Sequence, residues 1–195
     1  MDIFIHETSI VENNVKIGDK SKIWHWTHIC SGAVIGANCN IGQNVYISGS
    51  VKIGNNVKIQ NNVSLYDGVI IEDNVFCGPS VVFTNVINPR SFINRKVEFR
   101  KTIIHKGASL GANSTLICGV NVGKYSLIGA GSVVTKDIKD FSLNFGNPSS
   151  HRGWVTKEGN KLFLSLKGNG MEICKKTGDK YILKNGICNY IGKNN

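Results

Sequence analysis

A beat of six constrains this chain more than any other feature. Stepping by six from Ile5 meets Val11, Ile17, Ile23, Ile29, Ile35, Ile41, Ile47, Ile53, Ile59, Leu65, Ile71, Cys77 and Phe83 without a failure. Two residues before many of these lies a second apolar or small residue: Val15, Thr27, Ala33, Val45, Val51, Val57, Val63, Val69, Val75 and Val81. Inward residues at i and i−2 are the signature of a strand. A helix would scatter the same beat over three stripes about 120° apart and leave no single apolar face. Glycine follows the core position at Gly18, Gly36, Gly42, Gly54 and Gly78, and asparagine takes the third place at Asn38, Asn44, Asn56, Asn62 and Asn74. Both residues tolerate the positive φ that tight corners need.

Each unit is therefore a short strand plus a corner. Three units close a triangular coil, and successive coils stack like parallel strands ~4.8 Å apart. An ordinary β-sandwich would not hold a fixed period over so many consecutive units.

The beat stops in "FTNVINPRSFINRKVEFRKTII", residues 83–104, and resumes at Ile104, Leu110, Leu116, Val122, Ile128 and Val134. Phe83 and Ile104 lie 21 residues apart where one unit would be six, so the chain carries 15 extra residues at one corner, within a loop insertion at about 85–101. The coil continues beneath the insertion, and about six coils make a prism roughly 30 Å long. The register then follows. The third corner comes after Ile29, Ile47, Leu65, Phe83, Leu116 and Val134, so Asn85, Cys118 and Lys136 share one column. Asn85 and Lys136 are two coils, ~10 Å, apart along the axis. The second corner stacks His25, Gln43, Asn61 and Pro79.

Residues 151–195 lose the beat and alternate apolar and polar residues between KGNG, KTGD and KNG turns. They read as short hairpins, too small to stand alone, that pack on the prism or on a neighbouring subunit. The expected organisation is all-β: a parallel β-helix over residues 1–150 and a small β-hairpin tail over 151–195.

The net charge of +10 points to an anionic partner. No apolar run approaches the roughly 20 residues of a membrane-spanning helix. The opening "MDIFIHETSI" lacks a basic-then-apolar leader, so a cytoplasmic protein with no membrane insertion is expected. Six cysteines without a CxxC pair fit reduced thiols, Cys39 and Cys77 serving as small core residues.

Three function classes compete for such a prism. An acyltransferase is supported by the basic loop, which carries Arg90, Arg95, Lys96, Arg100 and Lys101 against one Glu98. A zinc-dependent carbonic anhydrase of the γ type needs three histidines converging from two subunits. Here His25 and His28 lie three apart and no third histidine falls on neighbouring coils at their level. A structural or ice-binding β-helix would want flat threonine ladders and no basic insertion. Nucleic-acid binding has only Phe92 and Phe99 in the loop as stacking residues. A phosphate-bearing small molecule explains the charge more economically.

The segment "GKYSLIGAGSVVTKDIKDFSLNFGNPSSHRG", residues 123–153, resembles the last coils of hexapeptide-repeat acyltransferases that use coenzyme A. That resemblance implies a left-handed β-helix. It also implies a pantetheine arm lying against small corner residues, by position Ala112, Gly129 and Ala130, with Lys136 and Arg152 meeting the phosphates. The chain has Lys139 and Asp140 where the family usually has two prolines, and Ser149 in place of an alanine.

"KIWHWTHICSGAVIG", "VKIQNNVSLYDGV", "EDNVFCGPSVVFTNVINPRS" and "KGASLGANSTLICGVNVG" are similar to the enzymes that N-acetylate UDP-2-acetamido-3-amino-2,3-dideoxyglucuronate for O-antigen and related surface glycans. The likeness covers nearly the whole chain. Relatives acting on dTDP-3-amino-3,6-dideoxyhexoses usually carry aspartate directly after "TN"; Val86 stands there, which leans toward the UDP-uronate branch.

The reaction implied is attack of a sugar 3-amino group on the acetyl-CoA thioester, with no metal. The family is trimeric, with sites between subunits, and no strong side-chain base is evident in it; the departing thiolate takes the proton. Asn85 is the candidate that aims the amine. Arg90 and Arg95 are candidates for phosphate and carboxylate, and Gln43, Asn61, Asn62, Tyr66, His25 and His28 for other substrate contacts. "HWTHIC" is also similar to the histidine stretch of lipid A acyltransferases, yet both histidines fall about three coils from Asn85.

Overall fold

The computed structural model describes residues 2–193. The six-residue units are short strands joined by corners, and they stack into three parallel sheets. A ten-stranded sheet begins at Phe4–Ile5, a seven-stranded sheet runs from Ile10–Val11 to Val133–Val134, and a six-stranded sheet from Lys16–Ile17 to Asn121–Val122. The second corner leads from the ten- to the seven-stranded sheet, and the third from the seven- to the six-stranded sheet. Among the described residues the one helical turn is the short 3-10 segment Lys96–Glu98. The chain is an all-β solenoid of hexapeptide repeats, the architecture of the left-handed β-helix.

The coil length is read directly from the pairing. Ile23 lies against Ile41, and Ile41 against Ile59. Across the loop the offset changes: Ile71 pairs with Ile104 and Phe83 with Leu116, each 15 residues further along than in other coils. The insertion thus leaves the stack unbroken. Inside, the residues on the beat from Ile23 onward are buried, and the i−2 series fills the space between them. Near the start of the prism, where that series is polar at Ser21 and Thr27, the hydroxyls are satisfied. Ser21 Oγ donates to the Gly36 carbonyl and Thr27 Oγ1 to the Gly42 carbonyl, both at 2.8 Å.

The corner residues divide their work differently from the sequence expectation. Asn38, Asn44, Asn56, Asn62 and Asn74 do take left-handed backbone, with φ between 55° and 61°. The glycines that directly follow the core residue do not. Gly36 is needed for a different reason: a Cβ there would sit 2.5 Å from the Gly54 carbonyl oxygen of the next coil. Its role is close approach between coils, not a left-handed turn.

The two ends of the prism differ. At the end that opens the chain, Phe4, Ile5 and Ile10 are exposed and Val11, Val15 and Ile17 only partly buried. At the other end, Ser142–Phe145 adds a last parallel strand, and Ser150–Val155 turns back antiparallel beside it. The chain then forms a separate three-stranded sheet: Gly170–Ile173, Asp179–Lys184 and Ile187–Lys193. This tail packs on the prism. Trp154 is fully buried and donates Nε1–H to the Ser165 carbonyl at 2.8 Å. Phe141 stacks on Tyr125 and meets Tyr181 edge-on, and Lys139 Nζ donates to the Gly186 carbonyl. Together they form a second small core that closes the prism. The six cysteines are free thiols, as their spacing suggested.

Candidate active site

Asn85 is the second residue of the third corner, where the inserted loop departs. Its backbone carbonyl accepts the Arg100 N–H at 3.0 Å, so the two limbs of the loop are tied where they leave the prism. The returning limb then crosses the corner one coil earlier. Thr102 N–H donates to the Gly68 carbonyl, and Gly68, at φ 90°, leaves room for the Arg100–Lys101 backbone. A Cβ on Gly68 would lie 3.2 Å from the Arg100 carbonyl oxygen. In the following coil, Gly119 makes the same allowance for the Arg100 side chain, whose Cδ would lie 3.2 Å from a Cβ. Small residues above and below Asn85 therefore seat the loop.

The register that stacks Asn85, Cys118 and Lys136 also puts Asp67 in the column, one coil before Asn85. Sequence reasoning passed over Asp67, although subtracting one coil length from Asn85 would have found it. Asp67 Oδ1 accepts from the hydroxyls of Ser48 and Ser50, each at 2.6 Å. The Ser48 bond first, then that of Ser50, holds the carboxyl below its usual value against the opposing effect of partial burial. An ionised carboxylate thus sits ~5 Å along the axis from a half-buried amide. That pairing suits a group that arrives as an ammonium and must be aimed by hydrogen bonds.

The loop encloses a concavity of about 610 Å3 whose wall includes Asn85, Arg90, Arg95, Lys96 and Phe99. Arg90 is exposed, and among the described residues its Nη1 donates only to the adjacent Pro89 carbonyl. Arg95 is engaged within the loop: Nη1 donates to both carboxylate oxygens of Glu98, at 2.7 and 3.0 Å. Its Nε is buried without a hydrogen-bond partner among the described residues.

The expected cofactor residues lie along both edges of the seven-stranded sheet near its last coils. Ala112 and Ala130 follow Pro79 down the second corner, where the Gly131 N–H donates to the Ala112 carbonyl. Lys136 stands exposed on the third corner. A Cβ on Gly129 would meet Phe145 Cβ at 2.7 Å, so this glycine is already required by packing. Arg152 is exposed with its guanidinium 5.7 Å from the Phe145 ring.

Of the remaining candidates, Tyr66 shares the third corner with Asn85, one coil earlier, and the others are not gathered there. His25 belongs to a corner of the second coil and stacks on His6 at 3.5 Å. His28 lies on the next strand and bonds to Glu12. Asn61 Oδ1 accepts the Gln43 N–H and Asn62 Oδ1 the Asn44 amide, so both asparagines serve the ladder between coils. Tyr66 stands on the third corner directly before Asp67, its ring 6.0 Å from that of Tyr46.

Comparison with known proteins agrees with this geometry. The family model of the bacterial transferase hexapeptide matches residues 4–49, 50–85 and 101–136, and the gap in the match is the inserted loop. The chain is 47% identical over 184 residues, 94% of its own length and 93% of the relative's, to a dTDP-3-amino-3,6-dideoxy-alpha-D-galactopyranose 3-N-acetyltransferase of Aneurinibacillus thermoaerophilus. A galactoside acetyltransferase solved with coenzyme A superposes with TM-score 0.59 at 26% identity, over 69% of this chain and 70% of that one. A hexapeptide-repeat acetyltransferase of Vibrio cholerae, solved with acetyl coenzyme A, shares the fold: TM-score 0.55, 23% identity, 72% and 71% of the chains. The chain belongs to the bacterial transferase hexapeptide family.

Proposed function

We propose that this protein transfers an acetyl group from acetyl-CoA to the 3-amino group of a nucleotide-linked amino sugar. The observation that carries the proposal is the third-corner column. It presents the Asp67 carboxylate and the Asn85 amide beside a basic concavity and leads, two coils on, to an exposed lysine. Asp67 attracts the amine as an ammonium. Once the amine has lost that proton to solvent, the Asn85 amide oxygen accepts one of its N–H bonds and turns the nitrogen lone pair toward the thioester carbon. A corner N–H stabilises the developing oxyanion, and the departing thiolate takes the proton released by the nitrogen. Lys136 and Arg152 are assigned to the cofactor phosphates, and Ala112, Gly129 and Ala130 to the wall along its arm.

For the sugar nucleotide, a dTDP-3-amino-3,6-dideoxyhexose is the better reading. It is supported by the full-length similarity to an enzyme of that name. The UDP-uronate reading leaned on Val86 and on loop arginines free to take both a diphosphate and a sugar carboxylate. With Arg95 bound to Glu98, fewer of those cations are free. Val86 and the exposed Arg90 keep UDP-2-acetamido-3-amino-2,3-dideoxyglucuronate as the second reading. Either product belongs to the building of O-antigen or another surface glycan. A homotrimer, with each site between two chains, completes the proposal. The exposed Val82, on the strand that leads into the loop corner, is the kind of surface such contacts cover.

The test is steady-state CoA release with the dTDP- and UDP-linked 3-amino sugars side by side. The expected result is turnover with both or with the dTDP sugar alone, and kcat/KM higher by tenfold or more for dTDP. A reversed ratio moves the assignment to the uronate, and no turnover with either removes it.

A further inference from the structure

Three coils away from Asn85, at the end that opens the chain, Glu12, His28 and Cys30 converge. Glu12 follows Val11 on the first coil, and His28 and Cys30 flank Ile29 on the second. Val11 pairs with Ile29, so the register itself brings the three together. A carboxylate oxygen, an imidazole nitrogen and a thiol sulfur lie within 4.8 Å of one another. His28 Nε2 is 2.7 Å from Glu12 Oε1 and 4.0 Å from Cys30 Sγ.

These separations are close to those of a metal site. Zinc bonds of about 2.0–2.2 Å to nitrogen and oxygen and about 2.3 Å to sulfur, at tetrahedral angles, put ligand atoms roughly 3.3–3.7 Å apart. Reaching that geometry requires the Glu12 oxygen and His28 nitrogen to part, and the Cys30 sulfur to approach that nitrogen, each by less than about 1 Å. The surrounding groups are in place as well. Glu12 Oε2 accepts the Ser31 N–H at 2.8 Å, which fixes the carboxylate, and the Tyr46 hydroxyl lies 3.4 Å from Cys30 Sγ. Such outer contacts orient ligands and sharpen affinity. Glu12 and His28 are about 40% exposed, leaving the fourth position open to water.

We propose that Glu12, His28 and Cys30 bind a divalent transition cation of the zinc class, which staples the first coil of the prism to the second. The thiolate and imidazole select against magnesium and calcium. The need for a staple is visible in the packing. Solenoid ends lack a neighbour to cover them. The far end is closed by Trp154 and its partners, whereas here Ile5 and Ile10 stay 44% and 60% exposed. A metal bond between the two coils supplies the cohesion that this half-exposed core lacks. On binding, Cys30 gives up its thiol proton to solvent and the cation replaces the Glu12–His28 hydrogen bond, so affinity rises with pH. This site is separate from the transfer chemistry and needs no metal there.

The experiment uses the full-length, reduced protein stripped of metal and titrated with Co2+ under nitrogen. One equivalent is expected to bind with a near-ultraviolet thiolate-to-cobalt absorption, and Zn2+ is expected to displace it. Zn2+ should raise Tm and slow amide exchange in residues 4–17. Cys30→Ser should abolish the absorption and weaken Zn2+ at least tenfold. Glu12→Gln, on an exposed corner, should keep the absorption and weaken Zn2+ about tenfold. Acetyl transfer by both variants, unchanged without metal, serves as the control for folding. No absorption at stoichiometric Co2+ in the native chain overturns the proposal, as does equal absorption in Cys30→Ser, which would place the metal on another thiol.

Discussion

Replacing Asn85 by alanine separates a catalytic role from a structural one. The residue's backbone carbonyl holds the loop through the Arg100 N–H, and alanine keeps that carbonyl. The side chain is half-buried and makes no hydrogen bond within the protein among the described residues, so its removal opens no buried polar group. The cost to stability should stay within about 0.5 kcal/mol. With 1 kcal/mol worth ~2–4 °C for a chain of this size, Tm should move by no more than about 2 °C. The cost to catalysis is larger. Losing one hydrogen bond that orients the amine removes roughly 1.5–3 kcal/mol of transition-state stabilisation. That corresponds to about a 10- to 150-fold fall in kcat at 1.36 kcal/mol per decade. Stopped-flow or thiol-trap assays of CoA release give kcat, and acetyl-CoA binding by calorimetry should be unchanged. A kcat within threefold of the native value would refute the reasoning, and so would a fall in kcat matched by a large loss of Tm.

Asp67→Asn should raise KM for the amino sugar about tenfold while leaving KM for acetyl-CoA in place, because the carboxamide keeps the volume and loses the charge that draws the ammonium; initial-rate kinetics with each substrate varied would show it. Trp154→Ala removes a fully buried indole from the core that closes the prism, at about 3–5 kcal/mol, so thermal unfolding should begin roughly 10 °C lower. His151, half-buried against Trp154, has its imidazole pushed below the usual 6.5, partial burial being the main cause, with Lys139 adding to it and a bond to the Gly153 carbonyl opposing. The unfolded chain therefore takes up the proton first, and this residue costs stability as pH falls from 6.5 toward its folded value. His151→Asn should flatten the decline in Tm between pH 7 and 5.

The prism was legible because its physics is local and repeated. One inward aliphatic residue every six positions leaves no other solution, and the single offset of 15 residues carries the register across the loop to Leu116 and Val134. What escaped the sequence depends on contacts between coils or on the unrepeated tail. Gly36 looked like a turn residue, but its reason is the Gly54 carbonyl in the next coil. Asp67 was hidden because its importance lies in stacking above Asn85, not in any motif. Arg95 read as a free cation until the 3-10 turn brought Glu98 beneath it. The polar candidates Asn61 and Asn62 turned out to spend their side-chain oxygens on the ladder. The tail's alternating pattern announced hairpins, while its docking through Trp154 and Tyr181 is long-range packing that periodicity does not encode.

The most direct measurement compares a dTDP-3-amino-3,6-dideoxyhexose with its 3-hydroxy counterpart, using [13C]acetyl-CoA and following the label by NMR. Asp67 and Asn85 are arranged for an amine, which arrives charged and leaves as an amide. The predicted result is an amide carbonyl on the 3-nitrogen, with kcat/KM at least about a hundredfold above that of the hydroxy sugar, the two-decade difference expected from losing both the ammonium contact and the aimed hydrogen bond. Equal transfer to the hydroxyl, or an ester elsewhere on the sugar, would contradict it.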